Sequence, residues 1–165
     1  AVAGRNILPQ ARAVIPRSGR LPGVDGKAKM SKSGGNAIAL SASPDTISAA
    51  VKAMFTDPNH LRVENPGKVE GNVVFNYLDA FDEDRATLDE LKARYRRGGL
   101  GDSAIKRRLE DILQALIGPI REKRAALARD PAHVIEMIRR GTEKARCRTD
   151  ATRREIVEGL GLFML

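Results

Sequence analysis

The sequence predicts a mostly α protein: a bundle of about five helices behind a short irregular or strand-containing segment. Three observations carry this. Through residue 43 the apolar runs are short and broken by Pro9, Pro16, Gly19 and Pro22. From Ser43 onward apolar residues recur at helical spacing. Each periodic run is also bracketed by residues that start or stop helices. Residues 1–43 and 44–165 are therefore read as two regions, and the first reads as beginning in mid-fold, its packing partners upstream.

In the first region Ala13-Val14-Ile15 is the one run with room for a short strand. Ser43-Pro44-Asp45 then supplies an N-cap, a first-turn proline and a first-turn acid ahead of Ile47, Ala50, Val51 and Met54, predicting a helix over 44–55. Asp57-Pro58-Asn59 and Asn65-Pro66-Gly67 leave only a structured loop between them. Val73, Val74, Tyr77, Leu78 and Phe81 form the next apolar face. Asp82-Glu83-Asp84 then caps a run through Leu88, Leu91 and Tyr95 that ends at Gly98-Gly99. Asp102 reads as the N-cap of a long helix with a stripe at Ile105, Leu109, Ile112, Leu113, Leu116, Ile117 and Ile120, kinked or restarted at Gly118-Pro119. The last helix starts at Asp130-Pro131, with Val134, Ile135 and Ile138 expected inward and Gly141 weakening its middle. Tyr95 is expected in the core with Leu91.

Composition excludes several classes. A chain of 165 residues, 42% hydrophobic and 30% charged, can bury one ordinary core or two small ones. No run approaches the roughly 18 apolar residues of a membrane span, and the first residues lack a signal-peptide layout. Neither membrane nor secretion is expected, and a cytoplasmic location is. Cys147 stands alone, so an internal disulfide is impossible; with only His60 and His133 as further soft ligands, no metal site is expected. Each histidine, isolated, is assigned no role.

The net charge of +8 is unevenly placed: residues 91–154 hold 18 Lys or Arg against 8 Asp or Glu, a net of +10, leaving −2 elsewhere. Such a basic region suits a nucleic-acid partner. Arg94, Arg96, Arg97, Lys106, Arg107, Arg108, Arg121, Lys123 and Arg124 are candidate phosphate contacts, each weighed against an ordinary solvated helix face.

The chemistry-bearing motif is Lys29-Met30-Ser31-Lys32-Ser33, lying between Gly23-Val24-Asp25-Gly26 and Gly34-Gly35. Glycine on both sides permits close backbone approach. Paired ammonium groups can follow a triphosphate as charge shifts onto leaving pyrophosphate, which makes Lys29 and Lys32 the catalytic candidates. Ser31 and Ser33 can add hydroxyl and backbone donors, and Met30 reads as an apolar anchor. A specified pentapeptide arises by chance in a chain this size on the order of once in ten thousand cases.

This pentapeptide resembles, letter for letter, the KMSKS signature of class I aminoacyl-tRNA synthetases. The lead-in Leu21-Pro22-Gly23-Val24-Asp25-Gly26 resembles the tryptophanyl members of that class. So do Thr56-Asp57-Pro58, Pro66-Gly67, Glu70-Gly71-Asn72-Val73-Val74-Phe75 and Tyr95-Arg96-Arg97-Gly98-Gly99-Leu100-Gly101-Asp102, extending the resemblance over most of residues 20–130. Gly34 departs from the apolar residue expected after the motif, which bears on loop stiffness.

The resemblance implies a tryptophan–tRNA ligase that activates tryptophan with ATP and Mg2+ and transfers it to tRNA. Residues 1–43 would then end a Rossmann-type catalytic domain, with Lys29, Met30, Ser31, Lys32 and Ser33 on ATP, and 44–165 would be an anticodon-binding-like helical region. A homodimer is implied for the whole protein. The family's paired-histidine signature has no match here, so this chain alone is expected to be inactive. Tyrosyl-type enzymes, a noncatalytic tRNA-binding module and a helical protein-interaction domain are the rival readings.

Overall fold

A computed structural model describes residues 4, 6–16, 18–27, 30–31 and 33–162. Among them are five helices and no strand: α1 (Pro44–Ala53), α2 (Val73–Phe81), α3 (Arg85–Arg97), α4 (Asp102–Leu127) and α5 (Pro131–Leu160). The described residues ahead of α1 take the irregular form, with no strand among them. Val14 is 94% exposed and Ile15 80%, and a lone extended run has no ladder to complete its hydrogen bonds.

Local chemistry sets the helix ends. Ser43 accepts from the Thr46 amide at the start of α1, as its sequence leads one to expect. The helix stops two residues short of 55, because Phe55 turns away to pair its amide with Val24 O. Asn72 caps α2 by accepting from Val74 N, and Asp84 caps α3 by accepting from Thr87 N. Gly98 ends α3 at φ +88°, with its Cα so close to the Glu64 carbonyl that a Cβ would lie 2.2 Å from that oxygen, so both conformation and space require glycine.

Two expectations for α4 change. Asp102 is the first residue of the helix rather than its cap, and its carboxylate faces α3 and the preceding loop. The helix neither stops nor restarts at Pro119 but carries it inside one run. The carbonyl deprived of its partner belongs to Ala115, which is exposed and can bond to water, while Leu113 and Ile117 on either side stay buried. The buried stripe is Ile105, Leu109, Leu113 and Ile117, with Ile112 partly buried; Leu116 and Ile120 face outward.

The chain divides into two compact units. The unit Ile15–Arg124 holds the core, where Ile47 and Val51 of α1, Val74, Phe75 and Leu78 of α2, Leu88 and Tyr95 of α3 and the α4 stripe pack together. Tyr95 is fully buried, as expected, and Phe75 meets its ring edge-on with centroids 5.1 Å apart. The other unit comprises Ala1–Val14 and Ala125–Leu165. In it α5 begins at the Asp130 cap and runs unbroken through Gly141, but it contains no buried residue. Ile135 and Ile138, expected inward, are 66% and 63% exposed. Periodicity marks which face of a helix is apolar, and only a packing partner can bury it. The visible support of α5 is local: Arg139 bridges Glu136 and Glu143, and Arg140 also bonds Glu136.

Candidate functional site

Ahead of the lysine motif the chain makes a turn over residues 23–27. Gly23 N donates to Lys27 O and Gly26 N donates to Gly23 O, each at 3.0 Å. Gly26 adopts φ +79° directly beneath the Phe55 ring, which favours glycine there. Apolar and backbone contacts seat this turn on the core. Leu21 and Val24 pack against it, the Tyr77 hydroxyl of α2 donates to Pro22 O at 3.0 Å, and Phe55 N donates to Val24 O at 3.1 Å. Phe55 O in turn accepts from Val73 N at the head of α2. The turn is thus continuous, through hydrogen bonds, with the end of α1 and the start of α2. Burial pushes the Tyr77 phenol up to about 12, so it stays a donor over the ordinary pH range.

On the far side of the loop stands Asn36, a polar residue only 5% exposed. Its Nδ2 donates to Asp25 Oδ1 at 3.0 Å and its Oδ1 accepts from Ser31 N at 2.9 Å. Its backbone carbonyl accepts from Val24 N at 3.0 Å. Gly23 lies so near that a Cβ there would stand 2.1 Å from Asn36 Nδ2. The Asp25 carboxyl is held below its usual range by the Asn36 amide first; burial opposes this, and Lys27 assists through its amide and its ammonium. Asn36 is the principal residue of this region that sequence reading passes over. Its sole local signal is an Asn closing the Gly34-Gly35 stretch, and its partner Asp25 is 11 residues away.

Of the five loop candidates, Lys29 and Lys32 lie outside the described residues. Met30 is partly buried and packs against the core, as expected of an anchor, together with Ile38. Ser31 is half-buried and Ser33 exposed. The Ser31 N–H, expected to be available as a donor, is already engaged by Asn36. The Ser31 Oγ accepts from Gly34 N at 3.0 Å, which leaves the hydroxyl proton free to point elsewhere.

A second polar cluster lies under the loop after α1. Asp102 Oδ1 accepts from the Tyr95 hydroxyl at 2.7 Å and lies 3.3 Å from His60 Nδ1, while Asp102 Oδ2 accepts from Thr56 Oγ1 at 2.7 Å. Asn72 Nδ2 reaches the same tyrosine oxygen at 3.3 Å. His60, 9% exposed, stacks tilted on the Tyr95 ring. Burial raises the Tyr95 phenol, and its bond to the Asp102 carboxylate raises it further. The cluster joins the 56–60 loop, α2, α3 and α4, and gives both Tyr95 and His60 structural places.

Several basic candidates prove to be structural. Arg108 donates to both oxygens of Asp82, at 2.6 and 3.1 Å, a bidentate pair at a carboxylate only 4% exposed. Lys106 Nζ donates to Lys52 O in the last turn of α1, and burial pushes its ammonium below the usual range while Asp102 opposes this. Arg121 Nη1 donates to Ala42 O at 2.8 Å, and Arg96 pairs with Glu70 at 2.7 Å on the surface. Arg94, Arg97, Arg107, Lys123 and Arg124 remain exposed. Among the described residues no group of three or more His, Cys, Asp or Glu could hold a metal ion, and no helix is long and apolar enough to cross a membrane.

Comparisons place this architecture among known proteins. The family model described as tRNA synthetases class I (W and Y) matches residues 2–118. The tryptophan–tRNA ligase of Clostridium longisporum is 50% identical over 163 residues, which cover 98% of this chain and 48% of that protein. That of Streptococcus pneumoniae is 48% identical, covering 95% and 48%. The chain thus spans about half the length of the curated relatives it matches. Among solved structures, the Campylobacter jejuni tryptophanyl-tRNA synthetase complexed with ADP and tryptophan superposes with a TM-score of 0.67 at 32% identity, over 86% of this chain and 43% of that one. The Giardia lamblia tryptophanyl-tRNA synthetase gives 0.56 at 30% identity, over 64% and 27%.

Proposed function

This chain belongs to the family of class I tRNA synthetases (W and Y), and from that premise we propose that it supplies the lysine loop and the helical half of a tryptophan–tRNA ligase. The observation that carries the reading is the complete Lys29-Met30-Ser31-Lys32-Ser33 loop rooted on the core through Val24, Phe55, Tyr77 and Asn36. Tryptophan rather than tyrosine is favoured because the relatives at 48–50% identity are tryptophan–tRNA ligases.

In the proposed reaction a tryptophan carboxylate oxygen attacks the α-phosphorus of ATP. The bond to the bridging oxygen breaks and pyrophosphate leaves; the terminal ribose hydroxyl of tRNA then attacks the adenylate carbonyl and releases AMP. Lys29 and Lys32 hold the triphosphate and stabilise the charge that grows on pyrophosphate. The Ser31 and Ser33 hydroxyls are the further donors, since the Ser31 amide is engaged by Asn36. Magnesium would enter with ATP, bound to its phosphates; no carboxylate cluster among the described residues fits it, and no step is routed through it. The basic helical surface would meet tRNA. The whole protein would act as a cytoplasmic homodimer.

The test is tryptophan-dependent ATP–pyrophosphate exchange by the product of the open reading frame that encodes this chain. Lys32→Ala should lower exchange by on the order of 100-fold; a loss within threefold would remove the phosphate role. Absence of exchange with tRNA still bound would favour a noncatalytic tRNA-binding module.

A further inference from the structure

We propose that Asn36 is a positioning residue of the lysine loop, its side-chain amide tying the Asp25 turn to the Ser31 backbone, two points between which Lys29 falls in sequence and the second of which Lys32 directly follows. This rests on the proposed role of those lysines in handling ATP.

Asn36 uses both ends of one rigid, planar group. Nδ2 donates to Asp25 Oδ1, a charge-assisted bond to the turn just ahead of the lysines. Oδ1 accepts from the backbone of Ser31, the residue immediately before Lys32. A third bond, from Val24 N to Asn36 O, fixes the clasp to the strip that Phe55 anchors. Asn36 is nearly fully buried, so water has little access to its own side of these bonds, while Asp25 at the other end of one of them is exposed. The missing side chain of Gly23 leaves the space that the amide occupies. Ammonium groups stabilise a moving charge best when their carrier is preorganised, and here the preorganisation comes from a side chain outside the signature itself. Only the amide serves both bonds as they stand. An aspartate at position 36 would face the Asp25 carboxylate without a donor, and an alanine would strip Ser31 N–H of its acceptor and Asp25 of one of its donors.

The experiment uses the same gene product and four variants. Asn36→Ala and Asn36→Asp should each lower kcat for pyrophosphate exchange at saturating ATP by about tenfold or more while the KM for tryptophan stays within twofold, because misplacing a positioned group costs rate rather than binding at a remote pocket. The exchanged pair Asp25→Asn with Asn36→Asp restores a donor–acceptor pair between the two side chains, with the new carboxylate still able to accept from Ser31 N–H. It should raise kcat at least about threefold above Asn36→Asp without reaching wild type, because Lys27 N–H shares Asp25 Oδ1 and loses its acceptor when an amide nitrogen stands there. Amide hydrogen exchange should report faster opening at Ser31 in Asn36→Ala, with the Leu88 and Leu109 amides unchanged, so that general unfolding is recognised as such. A kcat within twofold of wild type in both single variants, or a double variant that is folded but no better than Asn36→Asp, overturns the proposal. Lys32→Ala separates the two failures. If it is silent, the ATP role of the loop falls and this proposal with it; if it is costly while the Asn36 variants are not, only the clasp falls.

Discussion

Asp102 takes three polar partners from two different parts of the chain, the tyrosine of α3 and the Thr56 and His60 of the loop after α1. Removing its carboxylate leaves the buried Tyr95 hydroxyl and the half-buried Thr56 hydroxyl without their acceptor, and leaving a buried donor unpaired costs more than the bond itself stabilises. Asp102→Ala should therefore destabilise the folded chain by about 3 kcal/mol in urea unfolding, and Tyr95→Phe, which keeps the ring, by about 1 kcal/mol. The carboxyls of Asp25, Asp57 and Asp84 lie below their ordinary value of 3.8 and that of Glu70 below 4.5, each chiefly through hydrogen bonds. A depressed carboxyl stabilises the fold above its unfolded value, and that contribution is lost as the pH falls through the folded value. The melting temperature should thus fall on acidification below about pH 4 on account of these groups. Tyr77 acts at the other limit: its raised value makes its contribution complete below pH 10 and lost as the pH climbs toward 12. Thermal melts at about pH 3, 5, 7 and 11 check both signs.

Among the elements, the helices that build the core differ from α5 in what holds them. α2 is only nine residues long, too short to persist alone, and depends on its cap and its burial. Asn72 both caps it through Val74 N and bonds the Tyr95 hydroxyl, at 1% exposure. Asn72→Ala should cost about 2 kcal/mol, above an ordinary cap, whereas Ser43→Ala at the exposed start of α1 should cost about 1 kcal/mol. Equal losses in the two variants, measured by urea unfolding, would refute this difference. In α4 Pro119 is exposed, and Ala115, whose carbonyl loses its helical partner, is itself an exposed residue.

Across the chain as a whole, positive charge is concentrated after residue 90, but the structure divides it by use. Lys106, Arg108 and Arg121 join α4 to α1, to the α2–α3 corner and to the segment before α1. Arg107, Lys123 and Arg124 remain exposed on α4. Changing these three together to Gln should weaken binding of a tRNA and lower the slope of log affinity against log salt by about 0.7 for each phosphate charge no longer neutralised, with the melting temperature unmoved. Arg108→Ala should do the reverse, lowering the melting temperature with little change in slope. Filter binding at several salt concentrations, with melts alongside, separates the two groups.

The helices and the motif are written into the chain locally: caps at Ser43, Asp84 and Asp130 and the apolar periods that follow are signals that act within a few residues, whereas the Asn72 cap emerged only from the structure. Lys29-Met30-Ser31-Lys32-Ser33 was legible for the same reason, as was the anchoring of Met30. Which polar groups meet was settled by the three-dimensional fold alone. Asn36 with Asp25, Tyr77 with Pro22, Tyr95 with Asp102 and Arg121 with Ala42 are pairings across 11, 55, 7 and 79 positions. The fold also selects which apolar faces are covered, burying Ile105 and Ile117 while leaving Ile135 and Ile138 exposed on an equally periodic helix. Hydrogen-bond partnership and burial are properties of proximity in space, and a one-dimensional pattern records the capacity for them without recording the neighbour that completes them.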